Sequence, residues 1–273
     1  MTGRADLATD FHGLHAGPAI LVLPNAWDAA SAALMADAGA KAVATSSAAV
    51  AWAHGYPDGD ALPTDKLLAT IAEISRVITE PLTADIEGGY SDDLDSLSRT
   101  VAGVIDAGAV GINLEDGVRP PELQAHKIAA ARRAADQAGV KLFINARADV
   151  YLRGLAQGEA ALAETLRRAE LYRSAGADGI FVPGPTDAGL IAALAAGVAL
   201  PLNVMARAGA PSAPALQALG VRRLSSATGL FRAAFAPLKR AVEVFILAGD
   251  PSALAEAGQG LPDLNVRFGT PAP

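Results

Sequence analysis

Eight short apolar runs, each followed by an Ala/Leu-rich stretch of helical length, constrain this chain more than any other feature of its 273 residues. The strand candidates are AILVLP (19–24), AVATSS (42–47), LTADIE (82–87), VGINLE (110–115), LFINAR (142–147), GIFVPG (179–184), LNVMA (202–206) and RLSSAT (223–228). Helices are predicted between and after them, near 27–38, 64–78, 92–107, 122–138, 157–175, 187–196, 212–219 and 229–247. Several end in an Ala-Gly-Ala-type unit (DAGAKAV, DAGAVGI, SAGADGI), where glycine suits a left-handed helix C-cap and the next strand begins at once. Strands alternating with helices imply parallel pairing through right-handed crossovers, and eight units favour a closed (β/α)8 TIM-type barrel, an α/β fold. An open, nucleotide-binding sheet predicts a glycine-rich loop after the first strand. The sequence there is Pro24-Asn25-Ala26-Trp27-Asp28, without one. No Pro/Ser-rich linker divides the chain, so residues 1–273 are expected to form one domain. A further helix is predicted near 251–258, and the tail LPDLNVRFGTPAP reads as extended.

Composition narrows the function. The net charge is −7, from 22 basic and 29 acidic residues, and no basic block stands out. Nucleic acid and an anionic membrane surface are therefore not expected as partners. There is no cysteine, which excludes disulfides, zinc–thiolate sites and a thiol nucleophile or acid. The N-terminal residues MTGRADLATDFHGLH carry no apolar signal core, and no apolar run nears the ~20 residues that span a bilayer. The expected location is the cytoplasm.

In a (β/α)8 barrel the active site is built at the C-terminal ends of the strands. The polar residues collect there: Asn25, Trp27 and Asp28 after the first strand, Thr45-Ser46-Ser47 after the second, with His54, Tyr56 and Asp58 in the loop beyond. Asp85 and Glu87 end the third strand, Asn113, Glu115 and Asp116 the fourth, and Asn145, Arg147 and Asp149 the fifth. Asn203 lies on the seventh, and Ser225, Ser226 and Thr228 end the eighth. Strand alternation turns Asp85 and Glu87 to one side, where like charges repel. A hard divalent cation, Mg²⁺ or Mn²⁺, would offset that repulsion with Asp85, Glu87 and Glu115 as ligands. Arg147 is suited to a bidentate grip on a substrate carboxylate. Taken singly, several of these residues have simpler roles: Asp28 and Asp116 as helix N-caps, Ser46 and Ser47 as turn formers. His12, His15 and His126 are expected to carry no chemistry.

Six segments, in order, resemble the isocitrate lyase / phosphoenolpyruvate mutase superfamily: Pro24-Asn25-Ala26-Trp27-Asp28, Thr45-Ser46-Ser47, Gly55-Tyr56-Pro57-Asp58, Asp85-Ile86-Glu87-Gly88-Gly89-Tyr90, Asn113-Leu114-Glu115-Asp116 and Asn145-Ala146-Arg147. The resemblance runs from about residue 15 to about residue 245 and is similar to the carboxyphosphonoenolpyruvate phosphonomutase-like members. It implies an α/β barrel that binds Mg²⁺ and a small α-oxycarboxylate and makes or breaks C–C or P–C bonds, in lyases through a metal-stabilised enolate. Carried over by position, Asp85 looks like the direct metal ligand, Glu87 and Glu115 act mainly through metal-bound water, and Asp58 joins the same network. Backbone N–H groups around Ser46, Ser47 and Ala48 would hold the substrate carboxylate opposite Arg147. Trp27 would pack on the substrate, with Asn203 a further contact. Tyr90, His54 and Arg119 are general acid/base candidates by location. The resemblance further implies a dimer or tetramer in which the segment after 245 passes between neighbouring barrels. Two departures stand out: the lyases' cysteine-bearing loop after the fourth strand has no counterpart, and Glu115-Asp116-Gly117-Val118-Arg119-Pro120-Pro121 leads straight into a helix, leaving no room for a long gating loop. The expected activity is therefore a Mg²⁺-dependent C–C lyase or hydrolase on a small 2-oxo or 2-hydroxy acid. The alternatives are a P–C phosphonomutase or phosphonopyruvate hydrolase, and a non-catalytic 2-oxo acid binding protein.

Overall fold

The computed structural model describes residues 3–269. In chain order the elements are α1 (Arg4–Ala16), β1 (Leu21–Leu23), β2 (Asn25–Ala26), α2 (Ala29–Asp37), β3 (Val43–Thr45), α3 (Ser47–Ala53), α4 (Thr64–Val77), β4 (Leu82–Asp85), α5 (Leu94–Asp106), β5 (Gly111–Glu115), α6 (Pro121–Gln137), β6 (Phe143–Arg147), α7 (Gly158–Ser174), β7 (Gly179–Phe181), α8 (Ala188–Gly197), β8 (Leu202–Met205), α9 (Ala213–Ala218), β9 (Arg223–Ser225), α10 (Gly229–Ala248), α11 (Ser252–Ala257) and α12 (Leu264–Gly269). The strands pair in parallel in the order β1-β9-β8-β7-β6-β5-β4-β3-β2. Because β1 and β2 are consecutive, the first pairing with β9 and the second with β3, the ring closes. The expected first strand is thus one stave of an eight-stave barrel, interrupted at Pro24, which has no N–H for the ladder.

Other departures from the sequence reading have local causes. Residues 42–47 yield only the strand Val43–Thr45, because Ser46 caps α3 and the Ala-rich stretch after it coils. The N-terminal helix α1 is marked by only three buried residues, Ala8, Phe11 and His15, on a polar background. It lies at the start of the barrel strands: the His15 ring stacks on Phe143, the first residue of β6, and Phe11 meets the same ring edge-on. His15 Nδ1 donates to the Phe11 carbonyl at 2.8 Å, and burial pushes its pKa down to about 3, so the ring stays neutral. The tail, expected to be extended, forms α12, whose neighbour Arg267 pairs with Asp37 of α2 at 2.9 Å.

The barrel interior is apolar near the helices and polar along its axis. Asn145 Nδ2 donates to Asn113 Oδ1 at 2.9 Å and to Asn203 Oδ1 at 3.1 Å, and Arg223 Nη2 donates to Asn113 Oδ1 at 3.1 Å. Buried polar groups are retained at low cost only when hydrogen-bonded. These bonds tie β5, β6, β8 and β9 together at one level beneath the strand ends. Among the described residues no helix is long and apolar enough to cross a membrane.

Candidate active site

Register brings the acids together. Asp85 pairs with Asn113 across β4 and β5, and Glu115 pairs with Arg147 across β5 and β6, so all sit at the C-terminal rim. The Asp85 backbone N–H donates to Thr45 Oγ1 at 2.8 Å, which fixes the end of β4 against β3. Asp85 is buried, and burial raises its pKa; Arg147 and backbone N–H donors at Glu87 and Ser47 pull the other way, and Asp58 adds repulsion.

Glu87 does not follow strand alternation. The strand ends at Asp85, and Glu87 lies in the turn beyond with a left-handed φ of 51°. Its direction is set by its partners: Oε2 accepts from the N–H groups of Gly59, at 2.8 Å, and Asp60, while Oε1 accepts from the Tyr90 hydroxyl at 3.2 Å. Burial lifts its pKa to about 7, against the Asp60 amide and with help from Asp58 and Asp85. Glu115 is ion-paired with Arg147; burial nevertheless carries it to about 8, with Asp85, Asp149 and Asp58 opposing the arginine. Asp58 is exposed in the loop above, yet its charge is felt by all three buried acids.

Arg147 is held differently from the expected substrate fork. Its Nε and Nη2 donate to Asp149 Oδ1 and Oδ2 at 2.6 and 2.9 Å, and Nη1 meets Glu115. The bidentate face therefore belongs to Asp149. Burial acts to lower the Arg147 pKa, but Glu115 and Asp149 outweigh it, so the side chain stays charged. Asp149 is anchored in turn: its N–H donates to Asp116 Oδ1 at 2.9 Å, and Asp116 Oδ2 accepts from Arg168 at 2.7 Å and from the Tyr172 hydroxyl at 2.6 Å. Asp116 is thus a buried anchor and not the N-cap of α6, whose N-cap is Pro120. Asp28, by contrast, does cap α2, accepting from Ser31 N–H at 2.7 Å.

The remaining candidates separate. Ser46 caps α3, which leaves the first amides of that helix, at Ser47 and Ala48, beside Asp85. The Trp27 ring packs edge-on against Phe231 and Phe235 of α10. Asn203 Nδ2 donates to Val204 O, Arg223 O and Ser225 Oγ, so its amide is engaged inside the barrel rather than offered to a ligand. His54 bonds Thr70 of α4 at 2.9 Å, and Arg119 bonds Asp60 and Asp92. Asp149 was legible as an i+2 partner of Arg147 on one strand face; Asp60, Asp92 and Lys127 had no such signal.

Among the described residues, no three His, Cys, Asp or Glu side chains converge tightly enough to cage a metal ion. The donor set does fit a hydrated, oxygen-loving cation, since Mg²⁺ keeps several waters and takes one or two carboxylates. Glu87 is engaged by amides and Tyr90, and Glu115 by Arg147, so Asp85 is the carboxylate freest to ligate directly.

A parallel barrel with an acidic, partly buried rim at the strand ends defines an α/β-barrel enzyme. The chain belongs to the phosphoenolpyruvate phosphomutase family, which it matches over residues 11–246, and with it to the isocitrate lyase / phosphoenolpyruvate mutase superfamily. It is 36% identical over 235 residues to an uncharacterized protein of Mycobacterium tuberculosis (strain H37Rv), covering 83% of this chain and 86% of the relative. It is 34% identical over 198 residues to the chloroplastic carboxyvinyl-carboxyphosphonate phosphorylmutase of Arabidopsis thaliana, covering 67% and 57%. A solved structure from Burkholderia cenocepacia J2315, provisionally assigned as a phosphonomutase, is 40% identical and superposes with a TM-score of 0.84, covering 88% of this chain and 99% of that one.

The Asp149 anchor generates a stability prediction. Asp149→Ala strands the buried Arg147 charge and is expected to cost about 3–5 kcal/mol in urea unfolding. Removing the exposed Arg76–Glu73 pair with Glu73→Ala is expected to cost less than about 1 kcal/mol.

Proposed function

We propose that this protein is a Mg²⁺- or Mn²⁺-dependent enzyme that cleaves a C–C bond in a small α-oxycarboxylate, a 2-oxo or 2-hydroxy acid of dicarboxylate size. The carrying observation is that Asp58, Asp85, Glu87 and Glu115 surround one rim while Arg147 is the one cation in salt-bridge contact with any of them among the described residues. Asp85 would hold the cation, with Glu87, Glu115 and Asp58 around it. The cation would supply Lewis acidity at the substrate's oxygen. The chain's own residues do the rest. Arg147, locked by Asp149, presents a fixed positive charge to a substrate carboxylate, and the Ser47 and Ala48 amides present N–H groups from the facing side. Tyr90 keeps its proton, because burial and the neighbouring Glu87 raise its pKa, and so it acts as a hydrogen-bond donor at Oη. Calorimetric titration with Mn²⁺ and pyruvate, oxaloacetate or 2-oxoglutarate tests this. Wild type is expected to bind at least one acid only with metal present, and Asp85→Ala to weaken metal binding a hundredfold or more. Equal binding by Asp85→Ala would sink the assignment.

A second reading, P–C bond chemistry, is supported by the phosphonate names of the matched family and the Arabidopsis relative. Against it stands the charge balance: a phosphonate brings more negative charge to a rim that already holds four acids and one engaged arginine. Phosphorus NMR of phosphonopyruvate incubated with enzyme and Mg²⁺ separates the two; a product signal favours the second.

We assign the C-terminal segment to a homodimer or homotetramer in which α10 and the residues after it pass onto a neighbouring barrel. Leu238, Phe245, Ile246 and Leu247 of α10 are exposed, Leu247 at 86%. An apolar groove of about 980 Å³, lined by Leu21, Leu23, Leu34, Met35 and Leu224, runs along the outer side of β1, where Val22 is 55% exposed. Two such faces in one chain match each other. Ile246→Glu with Leu247→Glu is expected to shift the sedimenting species to monomer; an unchanged oligomer, or a monomeric wild type, would contradict the exchange.

A further inference from the structure

The turn Glu87-Gly88-Gly89-Tyr90 and the loop carrying Asp58 are joined by a set of bonds that the proposed chemistry does not use. Asp60 Oδ1 accepts from the N–H groups of Gly88, at 3.1 Å, and Tyr90, at 3.2 Å. In return, the Gly59 and Asp60 N–H groups donate to Glu87 Oε2. Arg119 closes the joint from the side. Its Nη2 donates to Asp60 Oδ2 and its Nε to Asp92 Oδ1, both at 2.8 Å. Lys127, fully buried on α6, donates from Nζ to the Gly88 carbonyl at 2.8 Å and also pairs with Asp92.

Backbone strain is concentrated here. Four non-glycine residues among those described have positive φ, and three of them are in this joint: Asp60 at 59°, Glu87 at 51° and Tyr90 at 60°. Residues held in such conformations persist only where their surroundings over-determine them. The glycine also has a defined purpose. A Cβ on Gly88 would fall on the Arg119 guanidinium, so the turn is glycine in order to admit the arginine.

We propose that Arg119 is a positioning residue: by clasping Asp60 and Asp92 it holds the Glu87 carboxylate and the Asp58 loop at the rim, as a fixed wall where a long closing loop would otherwise stand. This rests on the metal-binding reading of Asp85 given above. The physical need is clear. Asp58, Asp85 and Glu87 repel one another, and Asp58 lies on an exposed loop that would otherwise swing outward. Arg119 supplies a charge outside that trio, forked between two other acids, so it anchors the loop without neutralising the rim.

The test uses the full chain with two readouts: Mn²⁺ affinity from the electron paramagnetic resonance signal of the free ion, and amide hydrogen exchange. For Arg119→Gln, Mn²⁺ binding is expected to weaken 10- to 100-fold, the range typical of residues that orient metal ligands. Exchange at Gly59, Asp60, Gly88 and Tyr90 is expected to quicken at least tenfold while β5 and β6 stay unchanged. Arg119→Lys should recover part of both effects, since one ammonium replaces a fork. Unchanged exchange in the joint, or unchanged Mn²⁺ affinity with faster exchange, overturns the positioning role. If Arg119→Gln quickens exchange across the barrel, Asp60→Asn is put through the same two readouts and decides. A wild type that binds no Mn²⁺ sinks the metal-site reading, and the exchange readout still judges the clasp.

Discussion

Four carboxylates crowded at one end of a parallel barrel are the constraint around which the rest of this structure is arranged. Strand register forces two of them together: β4 and β5 bring Asp85 level with Asn113, and β5 and β6 set Glu115 beside Arg147. Burial then makes each charge expensive, and like charges in one site push the pKa values upward, to about 7 for Glu87 and about 8 for Glu115. A protein that gained nothing from this cluster would relieve it with apolar replacements. Here the surroundings reinforce it, with Thr45 bracing the end of β4, Asp60 and Gly59 gripping Glu87, and Asp149 fixing Arg147.

The reinforcement is layered. Beneath the rim, Asn113, Asn145, Asn203 and Arg223 form a hydrogen-bonded level that keeps the strand ends in place. Beside it, Arg168 and Tyr172 of α7 hold Asp116, which holds the Asp149 backbone, which orients Arg147. A helix on the outside of the barrel thus sets the aim of a cation on the inside. Buried, fully bonded networks of this kind rigidify a site, and a half-satisfied one would be worse than none.

Much of this was legible in the sequence. Alternating strands and helices carry a local period, so the barrel and the strand-end positions of Asp85, Glu115 and Arg147 follow from pattern alone. Elements with a weak period were not legible: α1 buries only three residues, α3 hides in an alanine run, and Pro24 splits one stave into two. The orientation of Glu87 was misread, because alternation ends where the strand ends and a left-handed turn takes over. The Arg119 clasp was beyond reach, since Asp60, Asp92, Arg119 and Lys127 lie on two loops and a helix far apart in sequence, and only the closed fold brings them together. The tandem glycines after Glu87 suggested close approach of a ligand; in the fold Gly88 makes room for an arginine instead.

The central claim is that Asp85 is the point at which this rim takes a divalent cation. Anomalous diffraction from a crystal soaked in Mn²⁺ and oxaloacetate measures that directly. The account predicts a single strong peak at the strand ends, about 2.1 Å from an Asp85 carboxylate oxygen, with Glu87 and Glu115 further away. A peak caged directly by Glu87 and Glu115 without Asp85, or no peak at the rim under saturating metal, would contradict it.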